Sequence, residues 1–270
     1  HPARPPLLPV PDSRAAPASP AAAWYGRPAD RLLLVGITGT LGKTSVLSML
    51  AAIGAAAERP LGTVGSLGVH FREPLGSGPL TTPGPIELHS ALSSLAERGA
   101  DVVAMEVTSH ALDQRRVHGL SYGLGIFTNL TLLEHLDYHG NFRRYVEAKR
   151  RFLDHLAPEA PLIVPVGDRL VRALVEEYPR RVTVGPGGIV SLRTEPRRHQ
   201  FIGTSITLTH RRPLPRLDGG EVEPGGLPIT LRVLGRGNVG NAALAAVAGL
   251  CLGYSPEQVA GALEAFEAPW

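Results

Sequence analysis

The chain is poor in the residues that would place it in several common classes. It holds one cysteine, Cys251, in 270 residues, which excludes an internal disulfide and a cysteine-based zinc cage. Cys251 sits in the apolar run from Ala242 to Leu252, where a small core residue is the natural reading. That run is too short to span a bilayer, so no membrane partner is expected. Aromatic residues make up only 5%, and no dense Lys/Arg stripe is interleaved with them, so no nucleic-acid partner is expected. The net charge of +3 is small, though compatible with an anionic ligand. No secretory leader is visible, since Pro stands where a leader has Leu. A reduced, cytoplasmic setting follows. The chain opens on His1 rather than Met and is expected to be a piece of a longer protein. Its length suffices for a sizeable core in one larger domain.

What is present is organised around Gly36-Ile37-Thr38-Gly39-Thr40-Leu41-Gly42-Lys43-Thr44. An apolar run, Leu32 to Val35, precedes it and reads as a buried strand. Ser45 to Ala57, rich in Ala and Leu, follows and reads as a helix. Strand, Gly-rich turn, then Lys-Thr at a helix start is the layout of a phosphate cradle. Backbone N–H groups at the helix N-terminus point at an anion, and the helix dipole adds to the attraction. Lys43 can reach the outer phosphates, and the Thr44 hydroxyl can ligate a nucleotide-bound Mg²⁺. The spacing is the shorter Gly-x-x-Gly-Lys-Thr, since Ile37 stands where the common form has Gly. The plain alternative is a Gly-rich turn with no ligand. Lys-Thr directly after Gly at a helix start favours the cradle.

Residues 1 to about 22 are dominated by Pro and Ala and read as a linker or tail, with Trp24 and Tyr25 as its anchor. Further strands are expected at 101–107, 124–127, 162–166 and 182–184, with short strands and turns over 61–78. Helices are expected at 86–98, 142–156 and 168–177. This alternation predicts an α/β fold: a mostly parallel sheet, P-loop-containing, with helices on both faces. After Gly185 the pattern changes. Strands at 189–193, 201–210 and 227–234 predict a small antiparallel β annex, with 211–226 a loop. Helices at 241–252 and 256–266 close the chain, the second opened by Ser255 as N-cap and Pro256.

Ligands in such sheets sit at the C-terminal ends of strands. Two more polar clusters fall there: Met105 to His110, and Thr128-Asn129 followed by Glu134 to His139. Glu106, a carboxylate ending a strand beside the cradle, is the first choice for Mg²⁺, which wants hard oxygen ligands. An arbitrary histidine is ordinarily a hydrogen-bonded surface or core residue. His135 stands apart because it follows a strand end among acids. Lys149 lies on an amphipathic helix, where a solvated face is the plain reading.

These residues carry a resemblance. The stretches 36–45, 81–84 (Thr-Thr-Pro-Gly), 105–117 (Met-Glu-Val-Thr-Ser-His-Ala-Leu-Asp-Gln-Arg-Arg-Val), 127–131, 135–140 (His-Leu-Asp-Tyr-His-Gly), 145–152 and 235–242 are similar to the central ATP-binding domain of a Mur ligase of the MurE type. Such enzymes add the third residue of the peptidoglycan stem to a UDP-N-acetylmuramoyl-dipeptide (UDP-MurNAc-L-Ala-D-Glu). The resemblance implies the cofactors ATP and Mg²⁺, with the muramoyl-dipeptide and an amino acid as substrates. It implies that Gly39, Thr40, Gly42, Lys43, Thr44 and Ser45 hold the ATP phosphates, and that Asn238 and Asn241 approach the adenine. One Mg²⁺ falls to Thr44 and Glu106, a second to His135 and Lys149, the lysine being carbamylated. Lys43, Glu106, His135 and Lys149 form the implied catalytic set, and Thr81, Thr82, Thr108, Gln114 and Arg116 contact the muramoyl substrate. Glu106, His135 and Lys149 are thus expected to converge on one pocket facing the loop.

On this basis residues 1–30 are the link from a mostly missing first domain, residues 31–270 the central domain, and a C-terminal domain is absent. A monomer is expected. The chain departs from the family's pattern at Leu41, usually Asn, at one extra residue before His135, at 165–168, and at Gly237 and Gly240, usually aromatic. Two alternatives stay open: a degenerate nucleotide- or partner-binding protein on the same fold, and a relative such as a folylpolyglutamate synthetase.

Overall fold

The computed structural model describes residues 9–132, 136–196, 204–232 and 235–267. In chain order the elements are α1 (Ala18–Trp24), β1 (Leu33–Thr38), α2 (Lys43–Ala56), β2 (Gly62–Gly65), β3 (Gly68–Phe71), β4 (Glu73–Gly76), α3 (Pro85–Glu97), β5 (Val102–Glu106), α4 (Ser109–Asp113), β6 (Leu124–Phe127), α5 (Leu136–His139) and α6 (Phe142–Arg150). They continue with β7 (Leu162–Pro165), α7 (Arg169–Leu174), β8 (Arg181–Val184), β9 (Val190–Pro196), β10 (Thr204–His210), β11 (Leu214–Pro215), β12 (Glu221–Val222), β13 (Gly225–Leu231), α8 (Arg236–Cys251) and α9 (Pro256–Ala265).

Eleven strands form one sheet in the order β13-β10-β9-β8-β7-β6-β1-β5-β2-β3-β4. From β9 through to β2 every neighbour is parallel. At both edges the pairing turns antiparallel: β9-β10-β13 on one side and β2-β3-β4 on the other. The expected annex is therefore an extension of the main sheet, joined at Val184↔Val190. The expected loop at 211–226 instead contains a small two-stranded sheet, β11-β12, pinned by the fully buried Leu214.

Two cores lie on the two faces, and single strands feed both by their period of two. In β1, Leu34 joins one core while Val35 and Ile37 join the other. In β5, Val103 and Met105 go one way and Ala104 the other. The face of Val35 and Ile37 is covered by α2, α8 and α9, that of Leu34 by α3, α6 and α7. Helix α8 is apolar on nearly all sides and is buried accordingly. Val46, Leu50 and Ile53 of α2 are fully buried, each contributing about 1.5–3 kcal/mol. The helix that starts at the Gly-rich turn is thereby fixed to the sheet.

Local chemistry sets the helix starts. Pro85 opens α3 and Pro256 opens α9, where Ser255 and Gln258 form a reciprocal capping box. Asp168 caps α7 through Leu170 N and Val171 N. The expected helix over 142–156 tightens into a 3-10 turn at Arg151–His155. The N-terminal segment is less of a tail than its composition suggests. Ala18 and Ala21 are buried as α1 packs on α3. Small alanines let two helices pack together, whereas Trp24 is 84% exposed and is no anchor. Arg14 instead pairs with Asp113 (3.3 Å), and Arg115 with Asp12 (3.7 Å).

Candidate functional site

The parallel strands bring four chain segments to one edge: residues 39–44 after β1, Glu106 at the end of β5, Thr128-Asn129 after β6, and Asp168 beyond β7. Gly39 and Gly42 have φ of +139° and +82°, a region that favours glycine. A Cβ on Gly42 would stand 2.5 Å from Asn241 Oδ1, and one on Gly39 would collide with Thr128 Oγ1. The loop is thus a tight backbone cradle whose donors open α2.

Asn129 clamps this loop. Leu41 N donates to Asn129 Oδ1 and Asn129 Nδ2 donates to Leu41 O, both at 2.9 Å. Thr128 Oγ1 donates to the same carbonyl (2.6 Å), and Thr40 N donates to Asn129 O (3.0 Å). On the other side Thr40 Oγ1 meets the Tyr145 hydroxyl (2.7 Å) and accepts from Thr131 N (3.1 Å). Thr131 Oγ1, buried beside the loop, has no hydrogen-bond partner among the described residues.

Two amines meet at the loop's first carbonyl. Lys43 Nζ donates to Gly39 O (3.0 Å) and Thr40 O (2.8 Å). Lys149 Nζ donates to the same Gly39 O (2.7 Å) and to Thr38 Oγ1 (3.1 Å). Lys149 is 1% exposed, so the solvated-face alternative is overturned: Tyr145, Ala148 and Lys149 are the face of α6 that turns inward. Burial, and then the charge of Lys43, push the Lys149 pKa well below the usual lysine range. Among the described residues no carboxylate lies within ion-pair distance of it.

Glu106 anchors the far end of the loop. It is 1% exposed and accepts from Thr44 Oγ1 at 3.0 and 3.1 Å, from Ser66 N at 2.8 Å and from Ser66 Oγ at 3.4 Å. A carboxylate and a hydroxyl beside a phosphate cradle offer hard oxygen ligands. Among the described residues no three His, Cys, Asp or Glu side chains gather as a metal cage. A cation here would take its remaining ligands from phosphate and water, as Mg²⁺ does. His135 lies outside the described residues, and with it the extra residue and the expected three-way convergence. Of that trio, Lys149 grips the start of the loop and Glu106 its end.

The five residues expected to contact substrate form one network. Thr81 Oγ1 bonds Ser66 Oγ (3.1 Å), itself on Glu106. Buried Thr82 donates to Glu106 O (2.9 Å) and accepts from Thr108 N (3.1 Å). Arg116 reaches Thr82 O (2.9 Å) and the Gln114 amide oxygen through Nε (3.0 Å) and Nη2 (2.6 Å). Gln114 Nε2 then donates to the Tyr138 hydroxyl (3.1 Å), which donates to Asp113 (3.0 Å). Arg151 completes the chain at Asp113 (2.8 Å).

On the opposite flank of the loop lies a cavity of ≈ 570 Å³ lined by Leu41, Gly42, Asn129, Asp168, Arg236 and Asn241, among others. Its volume suits a nucleoside. Asn241 is placed in its wall, and half-buried Asn238 lies one turn earlier on α8. Sequence reading placed Asn129 at a strand end without giving it a role, and assigned none to Tyr145 or Asp168. One unused signal pointed to both amines. The chain has 27 Lys plus Arg, of which Lys43 and Lys149 are the only lysines. Both stand at this loop.

The family model described as the Mur ligase middle domain matches residues 37–249. A UDP-N-acetylmuramoyl-L-alanyl-D-glutamate–2,6-diaminopimelate ligase of Geobacter metallireducens is 37% identical over 267 residues, covering 95% of this chain and 49% of that protein. A ligase of the same name from Geobacillus kaustophilus is 34% identical over 261 residues, covering 96% and 52%. The chain thus spans about half the length of these curated relatives. Among solved structures, a ligase of that name superposes with a TM-score of 0.80 at 21% identity, covering 97% of this chain and 53% of that one. The apo form of L. casei FPGS gives 0.71 at 15% identity, covering 98% and 70%. At these identities the structural likeness speaks for the fold alone.

Proposed function

The chain belongs to the Mur ligase family, and from that premise we propose that it is the ATP-binding core of a MurE-type ligase acting on UDP-MurNAc-L-Ala-D-Glu. The third stem residue in this reading is 2,6-diaminopimelate, after the names of its relatives. Residues 31–270 form the central domain, residues 1–30 lead in from a first domain, and a further domain brings the amino acid. The core is a cytoplasmic monomer. No helix among the described residues is long and apolar enough to cross a membrane.

The observation that carries this reading is the pairing of Glu106 with Thr44 across the mouth of a glycine cradle that two lysines share. Two features of the cradle suit phosphates: Gly39 and Gly42 turn its backbone at positive φ, and Thr131 Oγ1 beside it has no hydrogen-bond partner among the described residues. Gly39, Thr40, Gly42, Lys43, Thr44 and Ser45 would hold the ATP phosphates, with Asn241 and Asn238 toward the base. Thr44 and Glu106 would hold one Mg²⁺. Lys149, once carbamylated, would serve a second with His135, since carbamylation turns the amine into an oxygen ligand. ATP supplies the phosphoryl group that activates the substrate carboxylate for an incoming amine, and Mg²⁺ neutralises charge. The chain's own residues position and neutralise. Lys43 gives up the loop carbonyls for phosphate, Asn129 holds the loop backbone in place, and Arg116 and Gln114 orient the muramoyl-dipeptide. No protein nucleophile is needed.

Calorimetry with UDP-MurNAc-L-Ala-D-Glu tests the substrate assignment. Binding by the chain, weakened at least tenfold in Arg116→Ala, is expected. Equal binding by both proteins, or preferential binding of a folate, would move the site to another member of the fold.

A further inference from the structure

The sheet carries a second polar cavity that the ligase site does not use. On the face away from α8, helix cover among the described residues ends at α7, yet β8, β9 and β10 continue. Their core-side residues, Val182, Val184, Val190, Ile206 and Leu208, are buried on the α8 side. Their alternate residues line a cavity of ≈ 750 Å³: Thr183, Ser191, Arg193, Thr207 and Thr209, with Arg211 and Arg212 at its end. Register places Thr207 opposite Arg193 and Thr209 opposite Ser191, so hydroxyls and guanidinium groups share one floor. A neighbouring cavity of ≈ 670 Å³ shares Thr183 and Ile189 and adds Arg169, Arg172 and Arg181.

Among the described residues, six arginines therefore face this groove against one lining acid, Glu176. A merely solvated sheet face mixes charges of both signs. Here, among the described residues, none of the six is in an ion pair. A concave surface of one sign focuses the field and concentrates counter-ions. Guanidinium forks bind phosphate oxygens in bidentate fashion, and hydroxyls satisfy the remaining lone pairs. Among the described residues no aromatic side chain lines either cavity, so these residues offer no stacking platform of the kind that single-stranded nucleic acid uses.

We propose that this groove is a second anion site, separate from the 39–44 loop, which takes an oligophosphate group through Arg193, Arg211 and Arg212. The site goes beyond the ligase reading and stands whether or not that reading holds. Sodium tripolyphosphate is the probe, titrated calorimetrically into the 270-residue chain carrying Lys43→Ala, which silences the loop. Binding is expected in that background. It should weaken about tenfold or more for each arginine replaced in Arg193→Ser, Arg211→Ser and Arg212→Ser. These three side chains are exposed, so the variants should melt with the parent. Citrate should bind at least tenfold more weakly than tripolyphosphate. No binding in the Lys43→Ala background would overturn the proposal. So would binding indifferent to the three arginines, equal binding of citrate, or tighter binding of a single-stranded oligonucleotide at the same salt.

Discussion

Lys149 offers a test whose sign follows from burial. Its amine is held among Thr38, Gly39 and Tyr145 with no carboxylate beside it among the described residues, and burial depresses its pKa well below the usual lysine range. The unfolded chain therefore holds a proton that the folded chain has released, across the window from the depressed folded value up to about 10.4. Through that window stability rises with pH, by about 1.4 kcal/mol per unit. Below the folded value the penalty is constant and largest. Lys149→Met keeps the volume and removes the charge. Above about pH 10.4 the variant forfeits only two hydrogen bonds, together about 1–3 kcal/mol, and should be the less stable protein. As pH falls it gains on the parent by about 1.4 kcal/mol per unit, and the two stability curves should cross. Cys251, whose thiol burial raises to about 12, gives the opposite slope above about pH 8.5. It is common to both proteins and cancels in the difference. Urea unfolding in carbon-dioxide-free buffer from pH 7 to 10.5 measures the difference. A ¹³C-lysine spectrum, with two side-chain signals from two lysines, reports the amine directly. Parallel stability curves, together with two ordinary lysine titrations, would refute the reasoning.

Asn129→Ala removes both side-chain bonds to the Leu41 backbone. It should lower ATP affinity about tenfold while leaving circular dichroism unchanged; an unchanged affinity would deny the clamp. Glu106→Gln still accepts from Thr44 and Ser66 through its amide oxygen but loses the charge. It should melt within about 2 °C of the parent and bind ATP equally with or without Mg²⁺. A retained metal dependence would remove Glu106 from the cation site. Gly42→Ala puts a Cβ at positive φ against Asn241 and should cost about 1–3 kcal/mol in denaturant unfolding. A neutral effect would mean the cradle is looser than drawn.

The parallel strands, the helix starts at Pro85 and Pro256 and the cradle itself were legible, because each has a local cause: apolar runs, a fixed proline φ, glycines before Lys-Thr. Glu106 was legible for the same reason, a carboxylate closing an apolar strand. The burial of Lys149 was not legible in its own helix pattern; only the family resemblance placed it at the loop. An amphipathic helix exposes its charged residues by default, and only the packing of Tyr145 and Ala148 decides that this one turns inward. Nor was the role of Asn129, whose partners lie 88 residues away in the chain. Trp24 was misread because size suggested an anchor, whereas the close approach of α1 to α3 selects alanine. The antiparallel strands were seen, but their junction with the main sheet rests on one register pair that no local pattern encodes.

The central claim is that the 39–44 loop, with Glu106, binds Mg²⁺-ATP. Calorimetric titration of ATP into the chain and into Lys43→Ala, each with Mg²⁺ and with EDTA, tests it most directly. Saturable binding to the parent that needs Mg²⁺ and is lost in the variant is the predicted result. Equal affinity for parent and variant, or binding indifferent to the metal, would contradict it.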